Sequence, residues 1–377
     1  MPFQKLGLPE ALTDALVAFG YKKPYPIQKQ VIPEVLSGSD ILGIAKTGSG
    51  KTASFVLPII ANLQDQSKPK NRHVNVLVLV PTRELAVQVQ EVFFQFGKDM
   101  PNRIKSLAVY GGVSINPQMQ DLQNVNVLVA TPGRLLELVE SNAVHLTEIS
   151  TLVIDEADKM LNLGFKAEMT KILALLPRKR QNLLFSATLS PDIESLQTII
   201  LDSPKVVKIE AGVDNIDLIE QIGYFVSEEK KGPLLRHLIK TEHLKQVLVF
   251  TSSVYKADNV ADKLRKNGIN AQAIHSKKGQ MKRLNNLADF KDRKLTVLVA
   301  TDLLARGIDI DTLPCVINYE LPRSPKDFVH RVGRTGRAEN HGKAITFVTP
   351  DDQHHFKVIQ KKMKKIVTMI QSENIIP

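Results

Sequence analysis

A chain of 377 residues, 43% hydrophobic and 24% charged, holds apolar material for two sizeable cores and has the balance of a soluble globular protein. No apolar run approaches the ~20 residues that span a bilayer. The acids Glu10 and Asp14 argue against an export signal, and the single Cys315 excludes an intramolecular disulfide framework and predicts a reducing cytoplasm. The net charge of +11 favours a polyanion such as nucleic acid; with no tryptophan and 5% aromatics, the expected grip is on the phosphate backbone rather than by base stacking.

In chain order, short β-branched apolar runs alternate with helix-period stretches. The predicted strands of the first half are Ile41–Ala45, Val74–Val80, Ser106–Tyr110, Val125–Ala130, Leu152–Asp155, Leu183–Ser186 and Val206–Ile209. Amphipathic stretches such as Glu84–Phe96 and Gly133–Glu140 lie between them. The second half repeats the theme with Ile222–Val226, Val247–Phe250, Ala271–His275, Thr296–Ala300, Val316–Tyr319 and Ala344–Val348. Continuous apolar strands separated by helices predict parallel sheets covered on both faces, and there are too many strands for one doubly wound sheet. The pentapeptide VLVAT occurs at Val127–Thr131 and again at Val297–Thr301, each time at a predicted strand's carboxyl end, where open α/β sheets bind ligands. The sequence therefore predicts two α/β lobes, 1–210 and 219–377, joined by a short linker at 211–218 and ending in a basic helix through Lys361–Lys365.

Ala45–Thr52 reads AKTGSGKT between an apolar strand and a helical stretch. Such a loop turns successive N–H groups inward, at a helix N-terminus, onto phosphate oxygens. Thr47, Gly48, Ser49 and Gly50 form the cradle, Lys51 reaches the β- and γ-phosphates, and the Thr52 hydroxyl ligates Mg²⁺. Thr151–Asp158 reads TLVIDEAD: Asp155 at the strand tip suits the magnesium carboxylate, and Glu156 can deprotonate the attacking water. His330–Arg337 reads HRVGRTGR, with Arg334 and Arg337 expected one helical turn apart, where two planar guanidinium forks meet a transferring phosphoryl group. That cluster falls in the other lobe, so its use in hydrolysis requires lobe closure.

The ordered set resembles the DEAD-box ATP-dependent RNA helicases, most nearly the bacterial RhlE group, over about residues 3 to 350; the eponymous tetrad is Asp155-Glu156-Ala157-Asp158. The resemblance implies two tandem RecA-like parallel-sheet domains that use ATP and Mg²⁺. It implies that Gln28, within GYKKPYPIQ, reads the adenine edge, that Phe3 and Tyr21 pack near the base, and that Asp309 contacts the nucleotide sugar. It assigns RNA contacts to Pro81, Thr82, Arg83, Gly111, Gly112, Thr131, Gly133 and Arg134 in the first lobe, and to Thr251, Arg283, Thr301 and Gly307 in the second. Asp158, Ser186, Thr188 and His330 would couple the ATP state to unwinding, and Arg334 and Arg337 match the family's arginine fingers. Leu304 stands where alanine is usual and Ser276 where glycine is common; neither removes a functional group.

The expected activity is hydrolysis of ATP on RNA binding, with local, non-processive unwinding of short duplexes and little sequence preference. The expected working form is a cytoplasmic monomer, with ribosomal or RNA-decay assemblies among its partners. Two other readings use the same residues: an ATP-gated RNA clamp, and a P-loop ATPase acting on DNA.

Overall fold

A computed structural model of the chain describes residues 2–46, 48–209, 219–302, 313–336, 342–363 and 365–375, with the backbone only at Asn374. The chain divides into two compact units, Met1–Ala211 and Gly212–Pro377. The expected linker at 211–218 lies outside the described residues.

Among the described residues each unit carries one seven-stranded sheet, and every strand pairing is parallel. The first contains β1 (Ile41–Ile44), β2 (Val76–Leu79), β3 (Ser106–Val109), β4 (Val127–Ala130), β5 (Thr151–Ile154), β6 (Gln181–Ser186) and β7 (Lys205–Lys208). Their order across the sheet is β3-β4-β2-β5-β6-β1-β7. The second contains β8 (Ile219–Phe225), β9 (Val247–Thr251), β10 (Ala271–Ile274), β11 (Val297–Thr301), β12 (Cys315–Asn318), β13 (Gly342–Val348) and β14 (Thr368–Gln371). Its order, β10-β11-β9-β12-β13-β8-β14, is the first order with each strand displaced by seven. The two VLVAT segments therefore fall on β4 and β11, equivalent strands of a repeated topology. The α/β class expected from the sequence is the class adopted.

Alternation within the strands builds a core on each face. Val76, Val78, Val127, Val129 and Val153 point into one cluster; Leu77, Leu79, Leu128, Ala130, Leu152 and Ile154 point into the other. Successive side chains of a strand project to opposite faces, so a strand covered on both sides reads as an unbroken apolar run. Each such valine, leucine or isoleucine, fully buried, contributes about 1.5–3 kcal/mol of hydrophobic free energy. At the amino edge, Asp40 holds three strands together. Its carboxylate accepts from the Asn182 backbone N–H (2.7 Å), from Asn182 Nδ2 (3.1 Å) and from the Asp202 N–H (2.9 Å).

Three differences from the sequence reading stand out. β14 was not anticipated: Thr368–Gln371 is a short edge strand with no apolar run, and it pairs with β8 beyond the basic stretch. The last helix, Gln353–Met363, ends before Lys365 rather than running through it. The helix bearing His330, Pro325–Val332, stops at Gly333, so Arg334 lies in the turn beyond it. Arg337 itself, like Thr47, Gly307 and Asp309, lies outside the described residues.

Candidate functional site

A parallel sheet brings every strand's carboxyl end to one edge. In the first unit that edge divides by strand order: the loops expected to hold ATP follow the adjacent strands β5, β6 and β1, and the loops expected to hold RNA follow β3, β4 and β2.

After β1 the chain turns through the glycine loop into helix Lys51–Leu63. Gly48 (φ 75°) and Gly50 (φ 88°) adopt left-handed backbone, which glycine enters without steric cost. At Gly50 a side chain is also excluded by contact, because an added Cβ would come 2.6 Å from Gln28 Nε2. That amide is fixed at both ends: Nε2 donates to the Gly50 carbonyl (3.2 Å), and Oε1 accepts from the Tyr25 N–H (2.9 Å). Gln28 is 1% exposed, not the helix-surface residue its position in helix Pro26–Leu36 would indicate. Lys51 is buried and its Nζ donates to the Ala45 carbonyl (2.7 Å); Thr52 follows in the helix's first turn and is half-buried. Ser49 Oγ is buried without a hydrogen-bond partner.

Asp155 follows β5, its N–H donating to Leu79 O (3.0 Å). Its carboxylate accepts from the Glu156 N–H (2.8 Å), and burial pushes its pKa up to about 6 even though Lys51 pulls the other way. Glu156 sits at φ 53°, an uncommon conformation for a non-glycine residue and costly by roughly 1–2 kcal/mol. The turn aims its carboxylate inward: Oε1 pairs with Lys159 Nζ (2.6 Å), and Oε2 is buried without a partner. An orphaned acceptor of this kind costs about 1–3 kcal/mol, a cost a polar ligand would remove. Asp158, in the helix that follows, accepts from Thr188 Oγ1 (3.1 Å), and Ser186 Oγ donates to the Thr188 carbonyl (2.8 Å). The expected coupling residues of the first unit are thus joined directly across β5 and β6.

The donor set suits nucleotide-borne Mg²⁺. No group of three or more His, Cys, Asp or Glu side chains able to hold a metal occurs among the described residues. Mg²⁺ is ordinarily held by one or two protein oxygens with phosphates and water completing the shell, and Asp155 and Thr52 supply that many. A cation beside Asp155 would also offset the burial of its carboxylate.

On the other half of this edge Pro81 is buried, Thr82 Oγ1 caps helix Arg83–Gly97 by accepting from the Leu85 N–H (3.3 Å), and Gly112 (φ 77°) lies under Arg83. A Cβ on Gly112 would meet the Arg83 guanidinium, so the glycine lets that cation lie across the loop. Gly111 and Gly133 are partly exposed, and Thr131 is buried at the start of helix Pro132–Glu140. Arg134 differs from expectation. It is buried, with Nε donating to Glu137 (2.7 Å) and Nη2 to the Val113 carbonyl (2.8 Å), so it ties the β3 and β4 loops together, and only its Nη1 is left without a partner. Phe3 is a core residue packed edge-on to half-buried Tyr21 at 6.5 Å, which leaves Tyr21 as the more accessible of the two rings.

In the second unit Thr251 and Arg283 are buried, at 0% and 5% exposure. Thr251 Oγ1 donates to Ser253 O (3.4 Å) and Arg283 donates to Gln280 Oε1. Thr301, at the end of β11, is half-buried, as is His330. Arg334 is 6% exposed. The three-arginine segment also contains a residue whose role the sequence does not disclose. Arg331 is held by both carboxylate oxygens of Asp302 (2.6 and 2.8 Å), by Asn318 Oδ1 (3.2 Å) and by the Glu320 carbonyl (2.6 Å), over the Phe250 ring. It is a buried strut, and only the equally buried Asn318 and Phe250 on neighbouring strands could have marked it.

Family models agree with this division. A DEAD/DEAH box helicase model matches residues 25–196, and a helicase conserved C-terminal domain model matches residues 230–339. The chain is 41% identical over 362 residues to the ATP-dependent RNA helicase CshA of Limosilactobacillus reuteri, covering 96% of this chain and 72% of that protein. It is 38% identical over 364 residues to the DEAD-box ATP-dependent RNA helicase CshA of Bacillus subtilis, with the same coverage of 96% and 72%. Among solved structures it is similar to S. cerevisiae Dbp5 bound to RNA and ADP BeF3, with a TM-score of 0.85 and 29% identity over 99% of this chain and 96% of the other. With the repeated parallel sheets, the phosphate loop and the DEAD tetrad on one sheet edge, and likeness to such proteins over 96% of its length, the chain belongs to the DEAD-box ATP-dependent RNA helicases.

Proposed function

We propose that this helicase turns over ATP at the β5-β6-β1 edge of its first unit in response to single-stranded RNA held on the neighbouring β3-β4-β2 edge, opening short RNA duplexes locally and without processive travel. The observation that carries the reading is the Thr188–Asp158 hydrogen bond of 3.1 Å, which joins the acidic loop beside the phosphates to the loop after β6. The relative Dbp5, bound to RNA and ADP BeF3, supports the same ligands here.

In this reading the glycine loop's N–H groups and Lys51 hold the triphosphate, and Gln28 reports on the loop through Gly50 while reading the base. The unpartnered Glu156 oxygen takes the proton of the attacking water. Arg334 and Arg337 carry the charge that develops on the departing phosphoryl group. Asp155 and Thr52 would hold Mg²⁺, which would supply neutralising charge to the phosphates. Thr82, Arg83, Gly111, Gly112, Thr131 and Gly133, with Thr301 and Gly307 of the second unit, grip the RNA backbone, while Arg134 positions the loops. Backbone contacts carry no sequence information, so little sequence preference follows. Each base-pair step is worth about 1–2 kcal/mol, so one ATP-driven change opens only a few pairs.

The RhlE-group placement is supported by motif likeness alone, whereas the curated relatives carry the name CshA; the DEAD-box family is the level on which both agree. A reducing, cytoplasmic setting fits the single cysteine; a monomer acting on ribosomal or RNA-decay assemblies is carried by the family resemblance alone. No described helix is long and apolar enough to cross a membrane. Unwinding yield measured against duplex length tests the reading. The expected result is a steep fall between one and two helical turns, and loss of all unwinding turnover in Glu156→Gln. Yield independent of length would indicate processive translocation, and a Glu156→Gln protein that keeps its full cellular role would indicate an RNA clamp.

A further inference from the structure

The first unit carries a cleft that none of the nucleotide or RNA residues lines. Helices Lys166–Ala174 and Pro191–Ile200 lead to the starts of the parallel strands β6 and β7, and both pack on the same face of the sheet. Between them the cleft has a volume of about 330 Å³, near the lower bound of small-molecule sites. Buried Met169 and Leu196 line its base, and half-buried Leu161 and Leu173 line it with Ile199, which is 72% exposed.

The two ends of the cleft differ in charge. Lys166 and Asp192 stand in the first turns of the two helices and offset each other. At the far end, immediately before β6, stands Arg180. Among the described residues its side chain makes one hydrogen bond, from Nη1 to the Pro177 carbonyl (2.5 Å), and its Nε is buried without a partner. Burial pushes its pKa down against the pull of Asp40, whose carboxylate is already engaged by Asn182 and Asp202. A guanidinium fork short of partners at the end of an apolar trough has the chemistry to hold a carboxylate that carries an apolar tail.

The cleft also meets the coupling elements. Leu161 lies on helix Ala157–Asn162, which carries Asp158, and Leu196 lies on the helix that follows Thr188. The chain leading into these two helices is joined by the Thr188–Asp158 bond.

We propose that this cleft is an effector site for a medium-chain amphiphile with a carboxylate head, the head pairing with Arg180 and the tail lying over Met169 and Leu196. Occupation fixes the lining helices relative to one another and so biases the Thr188–Asp158 junction. The binding site stands apart from the proposed function, whereas its effector role rests on that reading.

The test is calorimetric titration of the full chain with monomeric decanoate, octanoate and decanol. Decanoate should bind. Octanoate should bind roughly 10-fold more weakly for the loss of two buried methylenes, and decanol roughly 10-fold more weakly for the loss of the ion pair. Arg180→Met should bring decanoate down to the level of decanol. Ser195→Trp, which places a ring in the cleft from an exposed position on its rim, should abolish binding of all three. Unchanged thermal midpoints check that both variants keep the fold. The site is overturned if decanol matches decanoate, if Ser195→Trp binds as the unaltered chain does, or if sedimentation shows a dimer that Ser195→Trp dissolves, which would seat a second copy in the cleft. Repeating the decanoate titration with a nonhydrolysable ATP analogue, Mg²⁺ and oligouridylate reads the effector role. Affinity should change by roughly 5-fold or more, and equal affinity overturns that role. A chain that binds decanoate but not oligouridylate would refute the RNA reading and leave the site standing, so the two failures are distinguishable.

Discussion

Individual residues at this site are held in conformations that cost the protein stability. Asp155 is buried, and its pKa rises on folding from the ordinary carboxylate range to about 6. A carboxyl raised in this way penalises the folded state at every pH above 6, and the penalty fades as pH falls toward the unfolded value of ~4. Asp155→Asn should therefore raise metal-free stability at pH 7.5 by on the order of 2 kcal/mol, as read by urea denaturation, while abolishing ATP turnover. The gain should vanish near pH 4; a gain that persists there would assign it to packing instead. Asp40 is the opposite case, a carboxylate whose three hydrogen bonds pin β1, β6 and the approach to β7. Asp40→Ala leaves buried donors unmet and should cost about 2–3 kcal/mol in the same assay. A cost near zero would mean that water replaces the carboxylate. The role of Asp40 is not visible in the sequence, because Asp40 and Asn182 are 142 residues apart and no local pattern links them.

At the level of elements, the repeated strand order puts helix Lys231–Thr241 after β8 where helix Lys51–Leu63 follows β1, and each helix begins with a buried lysine. The loops before them differ. The first is glycine-rich, with Gly48 and Gly50 in left-handed backbone. The second supplies Glu228, which pairs with Lys231 (2.8 Å) and with Lys256 (2.8 Å), so the chain's own carboxylate satisfies the lysine. Glu228→Gln should destabilise the second unit by roughly 1–2 kcal/mol, a figure held down by the 56% exposure of the Glu228 side chain. An unchanged unfolding curve would show the pair to be neutral. In the first unit, Thr188→Val removes the bond to Asp158 and should leave RNA-dependent ATP hydrolysis largely intact while unwinding falls several-fold; equal loss of both would place Thr188 in hydrolysis itself. The apolar strands were legible because both their faces are covered, so β2, β4, β5 and β11 read as unbroken runs. β14 was not, since TMIQ is half-exposed at an edge and has no such run. The glycine loop and the DEAD tetrad were legible because their chemistry is local in sequence. The fates of Arg134, Arg283 and Arg331 were not, because which arginine becomes a strut depends on partners such as Asp302, 29 residues from Arg331.

For the molecule as a whole, the proposed function joins one ATP site to one RNA track through the carboxyl edge of the first sheet. The excess of 50 Lys and Arg over 39 Asp and Glu makes RNA affinity a salt-dependent quantity, so the comparison is best made at a single low ionic strength. Steady-state ATP hydrolysis measured with saturating oligouridylate, with oligothymidylate of equal length and with no nucleic acid tests the joint most directly. Turnover should be well above basal with RNA, near basal with DNA, and abolished by Lys51→Ala under every condition. Stimulation by DNA equal to or greater than that by RNA, or turnover that survives Lys51→Ala, would overturn the proposed function.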